Sequence, residues 1–133
     1  MTDQPQVGDS ARARLVMSEA LQMTAEFATS LVPTYADHHM EFGEHLQAAR
    51  RLRLCAERVI DATIAVEAAA GATVEEIAVW LALPVETIEM RLAAQRAKAA
   101  AVDPPTLAGR LDAWYARVGG PDAPSNAVSA GLV

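Results

Sequence analysis

Residues 73–96 read TVEEIAVWLALPVETIEMRLAAQR. Thr73 and Glu76 have the spacing of a capping box, in which the threonine oxygen accepts a free backbone N–H and the glutamate reaches back to the cap. A helix is therefore expected from residue 74, with Ile77, Ala78 and Leu81 on its apolar side. Pro84 requires it to end within Ala82–Pro84, because the residue before a proline is pushed out of helical geometry. A second helix is expected from Val85 to about Ala101, with Ile88, Leu92 and Gln95 or Arg96 on successive turns. Two helices joined by some three residues must cross steeply, and they form a tri-helical unit once a preceding helix packs behind them.

Working outward, Gly71 follows the run Ala68–Ala70 and is the expected stop of that preceding helix, since glycine takes a positive φ without strain. The helix is expected from about Tyr35 or His38 to Ala70, with Leu52, Cys55, Val59, Ala62 and Val66 on one stripe and Gly43 breaking or bending it. Before it, Pro33 closes a first helix running from about Ser10 to Val32. That helix carries two apolar rows, Met17, Leu21, Thr24, Ala28, Leu31 and Val16, Ala20, Met23, Phe27. Two rows exceed what one neighbour covers, which predicts a homodimer interface on this helix. After the quoted stretch, Asp103 and Pro104 start a last helix with Leu107, Leu111, Trp114 and Val118 in line, stopped by Gly119.

The expected architecture is all-α, about five helices, with a tri-helical core and a long N-terminal helix. Residues 11–118 form one domain, between a disordered N-terminus at 1–10 and a flexible tail at 119–133 rich in Gly, Pro, Ser and Ala. Composition agrees: the chain of 133 residues is 52% hydrophobic and only 5% aromatic, and about a fifth of it is alanine, the strongest helix former. Arginine carries nearly all the positive charge, Lys98 being the single lysine, which fits a G+C-rich bacterial genome. No apolar stretch reaches bilayer length and the N-terminus has no apolar leader region, so a cytoplasmic protein without membrane contact is expected. Cys55 is the only cysteine and falls within an apolar pattern, where it reads as a buried small hydrophobe.

The run EEIAVWLALPVETIEMRLAAQR resembles the promoter-binding C-terminal domain of extracytoplasmic-function sigma factors and, more broadly, bacterial helix-turn-helix regulators. Glu76, Ile77, Ala78, Leu81, Leu83, Pro84, Thr87, Ile88, Arg91 and Leu92 carry the likeness, which covers about 24 residues. The resemblance implies that the helix beginning at Val85 enters the DNA major groove. Two positions depart from the pattern: Ala82 replaces the turn glycine, and Glu89, followed by Met90, occupies a position that is usually basic or polar.

Glu86, Thr87, Glu89, Met90 and Arg91 are the candidate base-contacting residues, since a carboxylate accepts from the cytosine N4 amino group and Thr or Met can meet a thymine methyl. Arg91, Arg96, Arg50 and Arg51 are the candidate phosphate contacts, with Lys98, Arg53 and Arg58 as further cations that could help. Opposing this, the net charge is −6, and residues 73–101 hold four glutamates against Arg91, Arg96 and Lys98. A protein so charged cannot rely on phosphate attraction. Two functions follow: a small bacterial DNA-binding transcriptional regulator, or an interaction module whose acidic helix docks a protein partner such as a transcription component.

All three histidines lie in DHHMEFGEH, residues 37–45. On a helix His38, Glu41 and His45 share a face at metal-ligand spacing, but no fourth ligand accompanies them and Gly43 interrupts, so an ordinary polar helix start is expected. No nucleophile elbow, phosphate loop or paired buried carboxylates appear, so neither an enzyme nor a cofactor is expected. Trp80 and Trp114 are expected in core or interface packing.

Overall fold

The computed structural model describes residues 7–35 and 41–132. Among the described residues there are five helices: α1 (Asp9–Ser30), α2 (Glu44–Ala69), α3 (Val74–Leu81), α4 (Val85–Ala100) and α5 (Pro104–Val118), followed by a short 3-10 turn at Ser129–Leu132. No strand occurs among the described residues, so the fold is all-α.

Each helix boundary has a local cause. Gly43 caps α2 at φ 90°, a left-handed conformation that would strain a residue with a Cβ, so α2 begins at Glu44, later than the expected Tyr35 or His38. Gly71, at φ 108°, turns the chain after α2. The capping box of α3 is complete: Thr73 Oγ1 accepts from the Glu76 amide at 3.1 Å, and Glu76 Oε1 accepts from the Thr73 amide at 3.0 Å. The Thr73 backbone N–H, and after it the Thr73 hydroxyl, hold the Glu76 carboxyl below its ordinary pKa. At the end of α3, Ala82 adopts φ 54° and ψ 45°, as the missing turn glycine requires.

Three buried clusters hold the helices together. Ile64 and Ala65 of α2, Ile77 and Ala78 of α3, and Ile88 and Leu92 of α4 close around Ala13 of α1. Four helices thus share one core of branched and small side chains, each buried branched residue contributing about 1.5–3 kcal/mol of transfer free energy. Val16, Ala62 and Ala99 fasten α1 to α2 and α4, where alanines allow close approach. On another side of α1, Leu15 packs with Leu107, Ala108 and Leu111 of α5.

The broad apolar face of α1 is therefore used within the chain, by α2, α4 and α5, leaving Leu21 and Met23 as its exposed large apolar residues before Val32. Arg12 adds a polar fastening: its Nη1 donates to the carbonyls of Ala99 at 3.1 Å and Val102 at 2.9 Å, satisfying orphan acceptors at the end of α4.

The C-terminal segment makes contacts that composition does not indicate. Asp112 Oδ1 accepts from the Val128 and Ser129 amides at 2.7 and 2.9 Å, Arg14 Nη2 donates to the Gly131 carbonyl at 2.7 Å, and Val128 and Leu132 pack against the α5 cluster. Composition marked residues 119–133 as flexible because it shows local propensity only, whereas the docking depends on partners distant in sequence. Trp80 is not a core residue, being 88% exposed, because it lies beside rather than on the stripe of Ile77 and Ala78. Trp114 and Cys55 are half-buried rather than core.

Candidate nucleic-acid interface

Helix α4 is buried on one stripe, Ile88, Leu92, Gln95 and Ala99, at spacings of 4, 3 and 4. Everything on its opposite side faces solvent: Glu86, Glu89 and Met90 in the first two turns, then Ala93, Ala94 and Ala97. Thr87 is half-buried at the border of the two faces. The exposed face is thus acidic near the N-terminus and nearly free of bulk further along. Two carboxylates in the first turns complement the positive end of the helix dipole, which stabilises the helix independently of any partner.

The candidate cations separate. Arg91 Nη1 donates to Asp61 Oδ1 of α2 at 3.2 Å, so its guanidinium is already engaged inside the fold. Arg96 is exposed on one flank of α4, at a cleft of about 330 Å³ shared with Asp9 and Arg12. Lys98 lies on the other flank, at a smaller cleft of about 120 Å³ lined also by Arg58, Cys55, Gln95 and Glu19. Arg50 and Arg51 are not brought to α4. They sit in the first two turns of α2 against Phe27 and Leu31, ten or more residues before the Asp61 contact, a helical distance of about 15 Å.

The physical reason is direction: α4 lies across the C-terminal half of α2, and the arginine cluster begins at the other end. Asp61 is the site residue that sequence reasoning did not assign to this face. Asp61 and Arg91 are thirty residues apart, and no local pattern links them.

Gln95 occupies an inward position that periodicity allotted equally to Arg96. It is 9% exposed, and its Oε1 has no hydrogen-bond partner. His38 lies outside the described residues, so the histidine group is not placed. Among the described residues no group of three His, Cys, Asp or Glu side chains could hold a metal ion, and no helix is long and apolar enough to cross a membrane.

The chain matches no family model, no curated protein and no solved structure.

Proposed function

We propose that this chain is a small helix-turn-helix regulator of transcription that binds duplex DNA with α4 in the major groove. The observation that carries the reading is the outward face of α4, where Glu86, Glu89 and Met90 are followed by Ala93 and Ala97 and none bears on another helix. A helix that is thin on its free side can approach base edges closely, and the carboxylates near its start are acceptors for cytosine amino groups. Arg96, Lys98 and Arg58 flank the helix as phosphate contacts, replacing Arg50 and Arg51 in that role.

With about three such contacts per copy, the slope of log affinity against log salt is expected near −3. Selection of genomic fragments by the purified protein, followed by titration of the best fragment at several salt concentrations, tests this. A reproducible motif with a shallow slope supports base readout by an acidic helix, and absence of enrichment over random fragments at low salt rules the reading out.

One observation favours a second reading. Val79 on α3 and Met90 on α4 are 81% and 72% exposed beside the glutamates, a mixture of apolar and acidic surface suited to a protein partner with a basic rim. Capture of a transcription component that is lost in Met90→Ala, without any DNA enrichment, would select it.

A further inference from the structure

The outer side of α2 repeats every three or four residues: Leu46, Ala49, Arg53, Ala56, Ile60 and, one turn past Thr63, Glu67. Leu46, Ala49, Arg53, Ala56, Ile60 and Glu67 are all exposed, although α2 also has a complete inward stripe for α1 and a third side for α3 and α4. Such a 3-4 spacing is the seam of a helix that packs lengthwise on another helix, and two alanines in it let the axes come close. Beside the C-terminal half of this stripe, α2 and α3 enclose an open groove of about 550 Å³ whose walls include Ile60, Ile64, Ile77, Leu81 and the exposed ring of Trp80.

The charges in the seam select the occupant. Arg53 precedes Ile60 by seven residues and Glu67 follows it by seven. Among the described residues neither side chain makes an ion pair or hydrogen bond within the chain. If an identical helix lies antiparallel across a two-fold axis at Ile60, Ile60 meets its own copy, and each Arg53 meets Glu67 of the other chain. Ala49 and Ala56 then enter the α2–α3 groove under Trp80. An isologous contact needs a surface complementary to itself, and this one is so in charge.

We propose that the chain forms a two-fold homodimer through the outer stripe of α2, with Ile60 on the axis, Arg53 paired to Glu67 of the second copy and Trp80 closing over the seam. The dimer helix is thus α2, not α1. The inference does not rest on DNA binding, and its outcome is read without DNA.

Sedimentation equilibrium of the full chain at micromolar concentrations tests it. The expected mass is twice the chain mass of 14.1 kDa. Ile60→Glu, which places two like charges on the axis, is expected to weaken association by about 100-fold or more. Arg53→Glu and Glu67→Arg should each weaken it, and the double exchange Arg53→Glu with Glu67→Arg should restore it, which also shows that the single variants fold. In a Cys55→Ser background, Ile60→Cys should give a disulfide-linked dimer on mild oxidation, because a symmetric axial pair meets the Cβ spacing of a disulfide. A monomer throughout the concentration range overturns the proposal, as does association unchanged by Ile60→Glu. Single charge variants that the double exchange does not rescue overturn the Arg53–Glu67 register.

Discussion

Arg91 of α4 and Asp61 of α2 share a hydrogen-bonded ion pair at 3.2 Å, with side chains 38% and 29% exposed. The pair holds the front of α4 against α2 and, at the same time, occupies the arginine nearest the acidic tip. At this exposure its stabilisation is modest, about 0.5 kcal/mol. Asp61→Asn is therefore expected to cost little in thermal stability while removing one negative charge and releasing a cation beside the free face of α4. If α4 binds DNA, the salt slope should steepen by up to about 1 and general affinity should rise. Titrations of wild type and variant against one random duplex check this; identical slopes would mean that Arg91 stays clear of the phosphates.

Glu89 tests base readout directly. It is exposed on the free face of α4 and makes no side-chain contact that fixes it elsewhere. Glu89→Lys should strengthen binding to random duplex, because a cation replaces an anion near the polyanion. It should also lower preference for the selected site by about 1–3 kcal/mol, the range for one specific base contact. Competition binding with selected and scrambled fragments measures both effects, and a ratio that does not move would remove Glu89 from the readout.

The docked tail is expected to be acid-sensitive. Burial alone pushes the Asp112 carboxyl up, but the bonds from the Ser129 side chain and from the Ser129 and Val128 amides together outweigh it, and the net shift is downward. A carboxyl depressed in the folded state contributes stability that is fully present above its unfolded value of about 3.9 and is lost as pH falls through the folded value. Tail docking should therefore be constant from neutral pH down to about 5 and weaken below about 4. Hydrogen exchange at the Val128 and Ser129 amides follows this. Asp112→Ala should abolish their protection at every pH, and unchanged protection in that variant would contradict the docking.

What could be read from the sequence divides by range. The capping box at Thr73, the stop at Gly71, the break at Gly43 and the buried positions Ile77, Ala78, Ile88 and Leu92 were legible, because each depends on contacts within a few residues or on strict periodicity. The candidate interface was legible only in part. Glu86, Glu89 and Met90 fall on the free face because the inward stripe of α4 is periodic. The tie between Arg91 and Asp61, the separation of Arg50 and Arg51 from α4, and the return of the tail to Asp112 all depend on how helices cross, for which one sequence carries no local signal. The placement of Trp80 was legible only as a choice for a related reason. Of its two expected placements, core or interface, the core is excluded, because its position on α3 directs it away from the Ile77 and Ala78 stripe.

Ala82 supplies a last prediction, on stability. Its φ of 54° makes it the only non-glycine residue with positive φ among those described, and a Cβ there costs about 1–2 kcal/mol against the following carbonyl. Glycine would relieve that cost, but the unfolded chain would gain freedom worth about 0.4–1 kcal/mol. The difference leaves Ala82→Gly more stable by about 0.5–1 kcal/mol. Because the left-handed geometry already exists, relief of strain need not move the turn, and the crossing of α3 and α4 should be preserved. Thermal unfolding should show a midpoint higher by about 2–4 °C for a chain of this size. A lower midpoint would mean that the Ala82 methyl makes packing contacts that outweigh its strain.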